Sequence, residues 1–245
     1  MFISPLRFQY SWLLLWCFVG YADDASCPYH LDKTQDIQLV EHRDIWVDTS
    51  DKLCYQTIDW PKPRQQTSFW HLQAKYLTIK DSLALGEGIW ITRDGIQINA
   101  NHACIHFDDD HILKSAFLSH GVQLNNDQLL IRAKQGHLDT NNMISKWKDI
   151  DFYLRFLSEK DPIVLWGSAK DATINESHTE LNNVQLTACP PDSMLWSVAS
   201  DRVYWHENDN RLDVDKPVIY LGGVPVLTFP YMSFSQGRQT GFLSP

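Results

Sequence analysis

The chain carries little positive charge, no extended amphipathic helical pattern, and no compact cysteine or histidine motif. Its 21 Lys and Arg are outnumbered by 30 Asp and Glu, for a formal net charge of −9. A surface of that sign repels nucleic acid and anionic membranes, so neither is expected as a partner. The five cysteines include no Cys-x-x-Cys pair and no spacing that suits zinc. The histidines at 71, 102, 106, 120, 137, 178 and 206 are scattered, with no nucleophile-and-base arrangement beside them. Gly86-x-Gly88 and Gly222-Gly223 lead into no helix start, as a phosphate loop must. No catalytic residue, metal ligand or cofactor is therefore assigned. The Asp108-Asp-Asp-His111 cluster sits where a turn is expected, and Asp is favoured there for its backbone hydrogen bonds. Asn175-Glu-Ser177 fits the glycosylation sequon, a match short enough to arise by chance.

What is present is a globular composition, with 44% apolar residues in 245, enough for one or two domains and too much for wholesale disorder. Residues 1–22 read as an export leader: basic Arg7, an apolar run from Ser11 to Val19, then Gly20-Tyr-Ala22 before Asp23. That run is too short to span a bilayer comfortably. Cleavage would remove Cys17 and leave Cys27, Cys54, Cys104 and Cys189 in a disulfide-forming compartment. Four cysteines allow three connectivities. Residues 23–68 read as an irregular arm, with one apolar patch at Ile45-Trp-Val47 and an extended linker around Pro61-Lys-Pro-Arg64.

From Phe69 a repeat begins. Each unit has apolar or small residues two apart, and then the phase slips by one. The units are Leu72, Ala74, then Leu77, Ile79; Ile98, Ala100, then Ala103, Ile105, Phe107; and Ile131, Ala133, then Gly136, Leu138. Gly167, Ala169, then Ala172, Ile174 form the fourth, and Val198, Ser200, then Val203, Trp205 the fifth. The slip would throw the second half of a flat strand onto the wrong face. A bulge or bend at the slip keeps both halves facing inward while the strand curves. Polar turns at Asp108-Asp-Asp110, Asp139-Thr-Asn-Asn142, Asn175-Glu-Ser177 and Glu207-Asn-Asp-Asn210 close the units. Return strands are expected at 89–91, 122–124, 150–152, 184–186 and 218–220. The expected fold is all-β, a curved stack of antiparallel hairpins with few helices and an open edge at each end.

The stretch from Cys189 to Pro245 is the most specific. A Trp196-Ser strand is followed by Gly222-Gly-Val-Pro-Val226, Phe229-Pro-Tyr231 and Thr240-Gly-Phe-Leu-Ser-Pro245. This order resembles the end of the periplasmic domain in the family of the lipopolysaccharide-assembly protein LptD, also called organic solvent tolerance protein, OstA. Arg238 alone stands where the family often has two basic residues. The resemblance implies an OstA-like β-jellyroll over 69–230, whose two curved sheets form a V with lipid chains inside. It also implies a junction at 231–245 leading to an outer-membrane barrel that this sequence does not contain. The implied ligand is lipopolysaccharide, gripped by its acyl chains because both it and this chain are acidic. The implied partners are an LptA-like bridge protein on the first strand and, only where a barrel is present, an LptE-like lipoprotein. Cys27 and Cys189 resemble the family's functional disulfide cysteines, and Cys54 and Cys104 are extra and free to form a second bridge.

The inner positions Leu72, Ala74, Leu77, Ile79, Ile98, Ala100, Ala103, Ile105, Ile131, Ala133, Leu138, Ala169 and Ile174 carry two readings. They fill a closed core, or their small members leave room for straight acyl chains. Native packing density asks for more Leu, Ile and Val than these positions supply, which with the resemblance favours a lipid groove. The expected function is accepting lipopolysaccharide at the periplasmic face of the outer membrane and passing it on, without covalent chemistry. A free-standing periplasmic lipid-binding protein is the near alternative. A secreted β-repeat enzyme acting on polysaccharide is the distant one, and would need carboxylates clustered on one face rather than in turns.

Overall fold

The computed structural model describes residues 46–47, 57–58, 68–156, 163–189 and 194–235. All lie in one compact unit, Leu31–Pro245. The leader at 1–22, Cys27, Cys54 and the closing residues 236–245 lie outside the described residues. Every regular element described is a strand. A two-strand ladder pairs β1 (Trp46–Val47) with β2 (Thr57–Ile58), and β2 touches β9.

The main sheet holds thirteen strands. They are β3 (His71–Lys80), β4 (Leu83–Arg93), β5 (Ile96–Phe107), β6 (Leu113–Asn125), β7 (Leu129–Asp139) and β8 (Ile144–Phe156). There follow β9 (Ile163–Ile174), β10 (Thr179–Thr187), β11 (Trp196–His206), β12 (Arg211–Asp215), β13 (Val218–Leu221), β14 (Val224–Thr228) and β15 (Tyr231–Ser235). From β3 to β11 each strand pairs antiparallel with its sequence neighbours. At β11 the sheet forks: Trp196–Ala199 pair with β13, while Arg202–His206 pair with β12. β13 then carries β14, and β12 carries β15. The jellyroll sheet therefore runs past residue 230, to Ser235.

The phase slips seen in sequence line up as one bend across the stack. On β4, β6, β8 and β10 the chain turns at Gly88, at His120 with Gly121, at Asp149 and at Asn183, all with positive φ. Lys216, with φ 47°, makes the same turn between β12 and β13. Opposite them on β3, β5, β7, β9 and β11 stand Lys75, Asn101, Lys134, Lys170 and Asp201, each just after the small residue of its unit. Pairing register is continuous across most of this line, for example Ala133↔Ile150 and Gln135↔Lys148. Both strands spend one residue on the bend together, so no one-sided bulge forms. Only β6 inserts an extra residue, at His120–Gly121, and there the register shifts against both neighbours.

The bend gives each long strand two halves, and the sheet folds along it so that the two inner faces pack on each other. One continuous core results, running from Leu72 and Ala74 on β3 to Ile219 on β13 and Met232 on β15. Burying each of its larger side chains contributes roughly 1.5–3 kcal/mol.

Candidate functional site: the inner face of the folded sheet

The inner face is built as cross-strand rows, one residue per strand. Just before the bend the row reads Ala74, Ile89, Ala100 and then Val122, Ala133, Ile150, Ala169, Val184, Ser200. Small residues on one set of strands alternate with Ile or Val on the other. Ala100, Ala133 and Ala169 each sit between two β-branched neighbours, and that alternation packs the row. Ala100, Ala133 and Ala169 are 1%, 9% and 6% exposed, and Ile89, Val122 and Ile150 no more than 2%. Just past the bend the row continues Leu118, Gly136, Trp147, Ala172, Leu181, Val203. Gly136 is a packing requirement: a Cβ there would lie 2.4 Å from the Trp147 ring. Trp147 is fully buried and its indole N–H donates to Ser145 Oγ at 2.9 Å.

Ile98, Ala103, Ile105, Ile131 and Leu138 are also buried, while Leu72, Ala74 and Ile174 are half-buried against the same core. Leu77 and Ile79 differ, for β3 has a neighbour on one side only, and they are 39% and 61% exposed. The inner face is thus closed through the middle of the stack and open at its ends. At the bend the small side chains are packed among larger ones. The signal for their partners lay in the return strands, whose first residues at 89, 122, 150 and 184 are the missing Ile and Val.

The opposite end shows more apolar surface. Leu221, Val224, Val226, Leu227, Phe229, Tyr231 and Phe234 are all exposed, and no charged residue occurs from Val218 to Gly237. Besides its ladder with β12, β15 is bonded there to one carboxylate. Asp213 accepts from Tyr231 Oη at 2.7 Å and Ser233 Oγ at 2.6 Å, and lies 3.1 Å from both Arg211 Nε and His206 Nε2. Burial alone would raise its carboxyl, but the Ser233 and Tyr231 bonds, with Arg211 and His206, hold it below the usual carboxylate range.

The outer face is not uniformly wet. Leu130, Tyr153 and Val164 are buried there with Trp166 against them, and the Arg132 guanidinium stacks 6.0 Å from the Tyr153 ring. Arg132 lies on the side opposite the core and is 9% exposed. Cys104 is buried on β5, while Cys54, the other cysteine of the second bridge that the sequence left open, lies outside the described residues. Cys189 is disulfide-bonded, and Trp166 Nε1 donates to its carbonyl. His102 is buried beside His120, their rings 5.3 Å apart, and burial first, then His120, lowers its pKa against the pull of Glu87. Among the described residues no three His, Cys, Asp or Glu are placed to hold a metal. Asp108 caps its own turn, accepting from the backbone N–H of Asp110 and Ile112. Asn175 does the same for Ser177 and His178.

A folded antiparallel sheet with an apolar inside, whose end strands each pair on one side among the described residues, is an open β-jellyroll. No protein-family model matches the chain. LPS-assembly protein LptD of Coxiella burnetii (strain RSA 493 / Nine Mile phase I) is 26% identical over 171 residues, 66% of this chain. LptD of Idiomarina loihiensis is 26% identical over 157 residues, 63% of the chain. LptD of Pseudoalteromonas translucida is 30% identical over 81 residues, 32% of the chain. The resemblance to the periplasmic portion of LptD is thereby borne out. The chain spans 20%, 19% and 11% of the lengths of these relatives, respectively. The solved structure of LptH, the LptA homologous periplasmic component of the lipopolysaccharide transport device of Pseudomonas aeruginosa, aligns over 72% of this chain and 100% of its own, at 10% identity and a TM-score of 0.29.

Proposed function

We propose that this chain is the periplasmic lipid-handling domain of an LptD-like lipopolysaccharide-assembly protein, working at the periplasmic face of the outer membrane. It takes lipopolysaccharide from an LptA-like bridge and passes the acyl chains on, breaking no covalent bond. The observation that supports this most is the inner face: apolar rows run from β3 to β13 and β15 without a charged side chain in the core, and reach solvent at both ends. Acyl chains gain about 0.8 kcal/mol per methylene on leaving water. They would replace contacts between the two halves of the sheet, so that lipid slides along the rows without meeting water.

The bridge is expected on β3, which pairs with β4 alone among the described strands and whose Tyr76, Leu77 and Ile79 are exposed. Such an edge adds a partner's strand through main-chain hydrogen bonds. Photo-crosslinkers at successive positions from 69 to 79 should capture the bridge protein at alternate residues. For the lipid, a photo-crosslinker at Ile105 should label lipopolysaccharide and one at Asn99, on the outer face, should not. Equal labelling at the two in a folded domain would mean that the inside is a permanent core and lipid travels elsewhere.

A further inference from the structure

The middle of the inner face is closed, so anything entering it must part the two halves of the sheet. Along the bend the halves are one continuous backbone, and they can separate only at the rim where the turns meet. The turns β4–β5 and β6–β7 belong to one half; β7–β8 and β11–β12 belong to the other. Side chains cross between them. Asn126, in the β6–β7 turn, donates its Nδ2 to Glu207 of the β11–β12 turn, at 3.2 Å to Oε1 and 3.5 Å to Oε2. Further along the same rim, Arg93 Nη1 lies 3.3 Å from Met143 Sδ, joining the β4–β5 and β7–β8 turns.

We propose that the Asn126–Glu207 contact is a clasp that holds the mouth of the folded sheet shut, and that an acyl chain enters between the β6–β7 and β11–β12 turns when it opens. This rests on the reading of the chain as a lipid carrier. The clasp suits a gate because it is shut yet weak. It is an amide-to-carboxylate contact at the surface, flanked along the rim by an arginine–thioether contact. The two turns press closely enough to desolvate the Glu207 carboxyl and push its pKa up, although Glu207 as a whole faces solvent; the Asn126 bond opposes the rise and Asp127 adds to it. Asn126 also has a second task at its other atom. Its Oδ1 accepts from the backbone N–H of Gln128 at 2.9 Å and Leu129 at 2.7 Å, which shapes the turn.

That division of labour supplies a clean variant. Asn126→Asp keeps the acceptor that shapes the turn, removes the donor, and sets a second carboxylate beside Asp127 against Glu207. Stopped-flow uptake of a fluorescent fatty acid, cis-parinaric acid, by the full chain should be several-fold faster in Asn126→Asp, with an unchanged circular dichroism spectrum. The opposite manipulation is Asn126→Cys with Glu207→Cys, joined by a short bismaleimide in a Cys104→Ala background. Uptake should slow at least tenfold. A control bridge between Lys134→Cys and Asp149→Cys, neighbours across adjacent strands, should leave the rate unchanged. Equal uptake by the native, Asn126→Asp and rim-bridged proteins would overturn the clasp while leaving lipid carriage standing. No uptake by the native chain would overturn the lipid-carrier reading, and the clasp with it.

Discussion

Ile105 and Ile79 occupy the same cross-strand row, two strands apart, and both point inward by the same sequence pattern. One is 0% exposed and the other 61%. The difference is position in the stack. β5 has a hydrogen-bonded strand on each side and the other half of the sheet over it, whereas β3 has a neighbour on one side only. A repeat protein assigns each residue a direction through its own pattern, but burial comes from the next repeat. The ends of this sheet are therefore apolar surfaces by construction. They are also chemically unlike: β3 carries Lys75 and Lys80, both exposed, of the kind that keeps edges from pairing indiscriminately. The β13–β15 end carries no charge at all from Val218 to Gly237.

The contrast between middle and ends is broken most forcefully by a buried charge. Ala133→Asp should cost about 3 kcal/mol or more, since an unpaired carboxylate would sit among Ile, Val and Ala. Leu227→Asp, at an exposed end position, should change stability by no more than about 0.5 kcal/mol. Urea unfolding of both variants gives the two numbers, and similar losses would mean that the end strands are as buried in solution as the middle.

Next in size is a matched pair in one row. Ile105→Ala should lose about 2–5 kcal/mol through the cavity it leaves, and Ile79→Ala under about 0.5 kcal/mol. Thermal unfolding of the pair sharpens the comparison, because the chemistry of the change is the same at both sites.

Glycine positions give a finer test. Gly136→Ala should cost about 1–3 kcal/mol, because its Cβ would be driven into the buried Trp147 ring. Gly86→Ala, in the same row but three strands nearer the β3 edge, meets the movable Ile89 Cδ1 at 2.3 Å and should be cheaper. A Gly86→Ala loss as large as that of Gly136→Ala would show the edge to be as tightly packed as the centre.

The smallest effect concerns β15. The Asp213 carboxyl is depressed in the folded protein, so its contribution is fully present above the ordinary carboxylate pKa of about 3.9. That contribution is lost as pH falls through the lower folded value. Protection of residues 231–235 against hydrogen exchange, relative to each amide's intrinsic rate at the same pH, should fall as pH drops below about 4, and Asp213→Asn should show low protection at every pH. Exchange in β7 and β8 should not follow.

Much of the fold was legible because a strand's period of two is local, and a slip in it forces a bend whatever the neighbours do. The slips at Ala74, Ala100, Ala133, Ala169 and Ser200, the Asp- and Asn-rich turns, and the Gly-Val-Pro-Val and Pro-Tyr motifs all stand in the sequence and all fall where the structure needs them. Other features depend on residues far apart in the chain. Alanines that suggested a channel turned out to be packed between Ile89, Val122, Ile150 and Val184, because alternation across strands is invisible along any one of them. The fork at β11 needed Lys216 to send β12 and β13 to different halves. The burial of Arg132 on Tyr153 and the meeting of Asn126 with Glu207 likewise required the folded sheet. By itself the sequence determined which way each side chain faces, since that is a matter of backbone geometry over a few residues. Only the tertiary structure decided what covers it, since burial is supplied by strands and turns brought together when the sheet closes on itself.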